Sequence, residues 1–107
     1  MTDQVMDYPL AVMDARTFRP ENQILYNLHM NMIFMTFNNL SGAISHHPSQ
    51  AWYYYSKQST SEVLVFHQYS KDRWMCNPHT SFLNKNCPRG TEDEERISAE
   101  LRVALFF

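Results

Sequence analysis

This sequence predicts a mainly β chain with one or two short helices, and three observations carry that expectation. Trp52-Tyr53-Tyr54-Tyr55 is an aromatic run of the kind that fits a pleated surface. Val63-Leu64-Val65-Phe66-His67-Gln68-Tyr69 is apolar on both alternating faces for most of its length, as a buried strand is. The closing Val103-Ala104-Leu105-Phe106-Phe107 also leans towards a strand. At 107 residues there is room for a single small domain, 1–107, with a modest core. Its 2 glycines are few for a self-contained all-β domain, which draws on glycine at its turns.

Met1 to Asp7 is a polar lead-in. Pro9-Leu10-Ala11-Val12-Met13-Asp14-Ala15-Arg16 reads as a short extended piece running into a polar turn. Pro20 followed by Glu21 makes a helix start, with proline tolerated and an acid favoured in the first turn. Ile24, Leu28 and Met32 then recur every four residues, which predicts a helix from about Glu21 to Met35. Asn38-Asn39-Leu40-Ser41-Gly42 and His46-His47-Pro48-Ser49 read as turns. Ser59-Thr60-Ser61-Glu62 has the spacing of a capping box, so one helical turn is expected there. Ser70 to Arg73 and Asn84 to Gly90 are loops.

The last segment supports two readings: local propensity leans towards a helix, and the terminal Val103 to Phe107 towards a strand. As a helix, Thr91 and Glu94 form a capping box and Ile97, Leu101 and Leu105 make an apolar stripe. As a strand from Ser98, one face is Ala99, Leu101, Val103, Leu105 and Phe107, and the other sets Glu100 beside Arg102.

Composition narrows the function. With 9 basic and 11 acidic residues the chain is near neutral, so charge implies no nucleic-acid or anionic-membrane partner. The longest apolar stretch, Ile24 to Phe37, is interrupted by Asn27, His29, Asn31 and Thr36 and is shorter than the ~20 residues of a bilayer span. Cys76 and Cys87 are too few for a disulfide scaffold, and no apolar leader opens the chain, so a soluble, reduced, cytoplasmic setting is expected. Seven methionines suggest adaptable core filler more than a cofactor box. Adjacent His46 and His47 point to opposite sides of an extended chain and lack a supporting cysteine pair, so they make a poor zinc site. Trp52 to Tyr55 fits a barrel wall better than a base-stacking platform, since nothing supplies phosphate affinity. Ser59, Ser61 and Asp72 make no nucleophile with a base, and there is no Gly-rich phosphate loop.

Five blocks carry a resemblance: Pro9-Leu10-Ala11-Val12-Met13-Asp14-Ala15-Arg16-Thr17, His47-Pro48 leading to Trp52-Tyr53-Tyr54-Tyr55, Glu62-Val63-Leu64-Val65-Phe66, Asn77-Pro78-His79-Thr80-Ser81-Phe82, and Arg96-Ile97-Ser98-Ala99-Glu100-Leu101-Arg102. In that order, and with that spacing, they resemble the C-terminal half of the fungal and bacterial hydroxylase/desaturase family related to gibberellin desaturase and the cephem 7-alpha-methoxylase component. That family is similar to the Fe(II)- and 2-oxoglutarate-dependent oxygenases. The resemblance implies a partial double-stranded β-helix (jelly roll) and resolves the last segment as a strand, Ser98 to Phe106. It implies an oxidoreductase acting on a small organic substrate of secondary metabolism, with Fe(II) and 2-oxoglutarate as cofactors. His79 would be a metal ligand, Arg102 would hold the co-substrate carboxylate in a two-bonded fork, and Arg96 would be a secondary contact.

Each of these residues has a plainer reading. His79 could be a loop histidine bonded to backbone, and Arg102 could pair with Glu100, Glu95 or Glu94. The family places a His-x-Asp pair and a tryptophan-containing strand ahead of the Pro-Leu-Ala-Val block, and no His-x-Asp or His-x-Glu occurs in this chain. Residues 22–40 diverge from the family pattern. The expectation is therefore a truncated catalytic domain, inactive in isolation, whose exposed strand edges could self-associate. A His67–His79–Glu100 iron set is conceivable, but it would put a carboxylate where the co-substrate clamp must go. The alternative reading is a non-catalytic remnant serving as a structural or interaction module.

Overall fold

Backbone pairing between segments far apart in the chain organises the molecule. The computed structural model describes residues 4–32, 35–68, 76–86 and 97–105, with the backbone alone for those between 30 and 40. Among them run β1 (Leu10–Met13), β2 (Gln23–Met32), β3 (Met35–Ile44), β4 (Trp52–Tyr54) and β5 (His79–Ser81). Two 3-10 turns, Ala15–Thr17 and Pro20–Asn22, are the helical elements among the described residues. The fold is β-rich and jelly-roll-like with only short helices, as the sequence predicts. No helix of the described residues is long and apolar enough to cross a membrane.

β1 is the centre of a three-stranded antiparallel sheet of order β4-β1-β5. Its register sets Ala11 against Tyr54 on one side and Thr80 on the other, and Val12 against Tyr53 and His79. Directly opposed residues share a face. Ala11, Met13, Trp52, Tyr54 and Thr80 therefore line one face, and Leu10, Val12, Tyr53, His79 and Ser81 the other. The first face holds the core: Met13 is 1% and Ala11 6% exposed, and Pro9 is buried beside them. Tyr54 meets Phe82 edge to face at a centroid distance of 5.0 Å.

Asp14 ends β1 by capping the next turn. Its carboxylate accepts the Arg16 backbone N–H at 2.9 Å and grips the Arg16 guanidinium with a shortest contact of 2.6 Å. Thr17 Oγ1 donates to the Asp14 carbonyl at 2.8 Å and accepts from the Ala51 N–H at 3.2 Å, fastening this turn to the approach of β4. The strand-then-turn reading of Pro9 to Arg16 and the strand at Trp52–Tyr55 both hold, the latter as β4.

The expected helix from Glu21 to Met35 is instead β2, paired residue for residue with β3 from Gln23↔Ile44 to Met32↔Met35. A spacing of four is also a multiple of two, so Ile24, Leu28 and Met32 share a face in a strand as they would in a helix. The expected turn at Asn38–Gly42 lies inside β3, where the pairing partner overrides local turn preference. Ser59–Glu62 forms a hydrogen-bonded turn rather than a helical one, with the Glu62 carboxylate accepting the Ser59 N–H at 2.8 Å in the capping-box manner.

Two other expected strands are not formed. Residues 63–68 and 97–105 take neither strand nor helix, and Leu101 is 88% exposed. A strand exists only where a neighbour completes its ladder, and among the described residues the 63–68 segment is bonded to Asn77 at His67 alone rather than along a ladder. The capping box at Thr91–Glu94, and Arg96, lie outside the described residues. The radius of gyration, 16.0 Å, exceeds the ~13 Å of a compact domain of about 100 residues.

Candidate functional site

β5 is only three residues long, and it exists because β1 offers it an edge. Met13 N–H donates to the Pro78 carbonyl at 2.8 Å, and Val12 and Ala11 then pair with His79 and Thr80. This pairing sets His79 on the face of Val12 and Tyr53. Its ring rests on Phe66 at 4.7 Å between centroids, tilted by 50°.

Its Nδ1 lies 3.2 Å from the Asn77 carbonyl oxygen. A carbonyl can only accept, so this bond is made with the proton on Nδ1, which in the neutral ring leaves the lone pair on Nε2. That is the arrangement in which a second partner orients a ligating imidazole. The plainer reading of His79, a histidine bonded to backbone, is geometrically the same contact.

Asn77 is the residue that sequence reasoning missed. Its side-chain Nδ2 donates to the Met13 carbonyl at 3.0 Å, and its Oδ1 accepts the His67 N–H at 3.1 Å. Its own N–H donates to the His67 carbonyl at 2.7 Å. One side chain thus ties the end of β1 to the 63–68 segment that carries Phe66, while its carbonyl holds His79. The legible signal was an asparagine ahead of proline, a pair that favours side-chain bonding to nearby backbone.

Arg102 sits in the unpaired 97–105 segment, and its guanidinium bonds Glu100 at 2.7 Å with both side chains exposed. The ion-pair reading is therefore the one observed in this conformation, and such an exposed pair is easily exchanged for a competing carboxylate. Arg96 lies outside the described residues. His47 is engaged locally, its Nδ1 accepting the Ser49 N–H at 3.2 Å and lying 2.7 Å from the Ser49 hydroxyl.

The electrostatics are local. The Asp14 carboxyl is held down at about 2 by its hydrogen bonds to Arg16. The Ser59 N–H, then the Tyr55 and Ser59 hydroxyls, lower Glu62. Burial raises the Cys76 thiol, which is free. A cleft of about 380 Å³ between Ala11, Trp52, Tyr54, Thr80 and Phe82 opens on the opposite sheet face from His79.

Non-haem iron of the oxygenase type needs two histidines and a carboxylate on one side of the ion. Among the described residues no three His, Cys, Asp or Glu side chains are grouped to hold a metal. His67, His79 and Glu100 are thus not gathered. The described residues do not complete an iron site.

Comparison with known proteins adds the family context. A family model described as oxidoreductase/YMDC permease-like domain matches residues 1–106. The chain is similar to aspirochlorine biosynthesis protein N of Aspergillus oryzae, 32% identical over 107 residues that cover 96% of this chain and 43% of that protein. It is also similar to a protein of Aspergillus novofumigatus named Fe(II)/2-oxoglutarate-dependent dioxygenase nvfI, 27% identical over 105 residues, 96% of this chain and 37% of that protein. The chain thus spans about two fifths of the length of these curated relatives. No solved structure matches.

Proposed function

We propose, because this chain belongs to the oxidoreductase/YMDC permease-like domain family, that it is part of an Fe(II)/2-oxoglutarate-type hydroxylase or desaturase acting on a small organic metabolite. The observation that carries this reading is the match of nearly the whole chain, residues 1–106, to an oxidoreductase family. The printed name of the second relative supports the cofactor type. Membership of the narrower group around gibberellin desaturase rests on the sequence blocks quoted above.

In this reading His79 contributes one metal ligand through Nε2, steadied by the Asn77 carbonyl and the Phe66 ring. Arg102 exchanges Glu100 for the 2-oxoglutarate carboxylate, a swap between two exposed carboxylate partners that costs little. Arg96 assists. The remaining ligands come from residues outside this constellation.

The test is 2-oxoglutarate binding in a protein that supplies those ligands, for example this chain joined to the amino-terminal portion of a curated relative. Arg102→Ala is expected to weaken binding at least tenfold there; unchanged affinity rejects the clamp role. The second reading is a non-catalytic structural or interaction module. It predicts no 2-oxoglutarate binding in that same context.

A further inference from the structure

We infer that the β2–β3 hairpin is a self-recognition surface, pairing edge to edge with the β2 strand of a second copy of this chain. The inference does not depend on the enzymatic reading. β2 lacks the features that shield an exposed edge. Between Asn22 and Ser56 there is no Asp, Glu, Lys or Arg, and between Glu21 and His47 there is no proline. Folded proteins protect an exposed edge with charge, proline, a bulge or a covering element. β2 runs ten residues in unbroken register against β3 alone among the described residues, without a bulge. An isolated two-stranded sheet is marginal in water, and a third and fourth strand would complete it.

The ladder shows which groups are offered. Ser45 N–H donates to the Asn22 carbonyl at 2.9 Å, so Asn22 and Ser45 form a hydrogen-bonded pair. Alternation along the antiparallel ladder then turns the N–H and C=O of Gln23, Leu25 and Asn27 away from β3. These are the groups a further strand would take. Ile24, Leu25 and Tyr26 are 57, 55 and 44% exposed, so the same stretch leaves apolar side chains in water beside the open ladder.

Three arguments select a second copy as the occupant, in antiparallel sense. An uncharged strand meets no like-charge repulsion when paired with itself. An antiparallel two-fold placed at Asn27 aligns outward-facing residues with outward-facing residues and overlaps nearly the whole strand. It also sends the two three-stranded sheets, each joined near Asn22 and Ser45, to opposite ends of the shared ladder. The outer edge of β3 is the weaker template, because Gly42 interrupts it with a residue poorly suited to strand interiors.

Area sets the strength. A ten-residue strand is roughly 33 Å long, and a strip about 10 Å deep on each copy makes on the order of 660 Å² buried in total. Stable complexes bury about 1,200 Å² or more. The dimer is therefore weak and concentration-dependent.

Sedimentation velocity of the full chain between about 1 and 200 µM tests this. Wild type is expected to move from monomer to dimer across that range. Asn27→Pro removes an outward N–H while leaving the bonds to β3 intact, and is expected to weaken dimerisation at least tenfold with the far-ultraviolet circular dichroism unchanged. Should that variant unfold, Asn27→Lys places a charge on the same edge and is expected to do the same. A wild type that stays monomeric at 200 µM overturns the inference. So does dimerisation unaltered by both substitutions, or open-ended growth into fibres instead of a closed dimer.

Discussion

The Nδ1 of His79 and the carbonyl oxygen of Asn77 stand 3.2 Å apart, across the one proline that separates them. That contact makes β5 more than a strand, because it fixes how the imidazole is turned. Pro78 cannot donate to β1, yet its carbonyl accepts from Met13, so the turn before the histidine is tied on both sides of the proline.

The first prediction concerns that tautomer. His79 is expected to carry its proton on Nδ1 when neutral, since the Asn77 carbonyl can only accept. Long-range proton–nitrogen correlation spectra of the imidazoles distinguish the two tautomers. A signal set showing His79 protonated on Nε2 would sink the claim that Nε2 is the free ligating atom.

The second concerns the side chain of the same asparagine. Asn77→Ala leaves the Met13 carbonyl and the His67 N–H without partners, and Met13 is almost fully buried. The expected cost is about 1–3 kcal/mol, mainly from the unmatched carbonyl. Asn77→Asp keeps the acceptor for His67 but loses the donor to Met13, so it should also destabilise. Urea midpoints of the variants decide this; an Asn77→Ala midpoint equal to wild type removes Asn77 from its bridging role.

How much of this was legible beforehand depends on what each residue answers to. β1 and β4 could be read because strand preference and hydrophobic pattern agree there and the sheet supplies neighbours. β2 could not, because Ile24, Leu28 and Met32 satisfy helix and strand periods alike, and only the ten-pair ladder to β3 decides between them. The runs at 63–68 and 97–105 have strand-like composition, but strand formation needs a partner that composition does not encode. For His79 the backbone-bonded reading was open in the sequence, but the Asn77 carbonyl as its partner was not. The role of Asn77 depends on bringing Met13 and His67 together, contacts distant in sequence that no local pattern announces.

A third prediction follows from Asp14. Its carboxyl lies at 3.8 when unperturbed and at about 2 in the folded chain, chiefly through its hydrogen bonds to Arg16. Folding therefore favours the ionised form. The contribution is complete above pH 3.8 and is lost as pH falls towards 2. Glu62 is lowered as well and acts in the same direction. Replacing Asp14 with Asn should flatten the dependence of stability on pH between about 4 and 2, measured by denaturation at a series of pH values. An acid limb identical to wild type would show that the Asp14–Arg16 pair persists on unfolding.

The fourth uses the backbone. Lys57, in the turn after β4, has φ of 58°, a left-handed conformation that disfavours a residue bearing Cβ. Lys57→Gly relieves that strain but adds freedom to the unfolded chain, so a gain of a few tenths to about 1 kcal/mol is expected. Lys57→Val, stiff at the same φ, should lose stability. If glycine and valine shift the thermal midpoint in the same direction, backbone strain is not what governs this position.

The last prediction is that these 107 residues alone do not assemble an iron and 2-oxoglutarate complex. The argument is a ligand count. An open iron site needs three protein groups on one face, and His79 is the one credible ligand that the sequence blocks identify. The chain has no His-x-Asp or His-x-Glu pair, and the described residues group no three potential ligands. His67, His79 and Glu100 are not brought together. A single imidazole cannot compete with water for Fe(II) at useful affinity, and without the metal 2-oxoglutarate loses its chelating partner and meets Arg102 as an exposed guanidinium. Anaerobic titration of the purified chain with Fe(II) and 2-oxoglutarate should therefore give no visible charge-transfer band, and dialysis should remove the iron. A clear band with one iron retained per chain would mean that the chain itself supplies the missing ligands and would overturn this prediction.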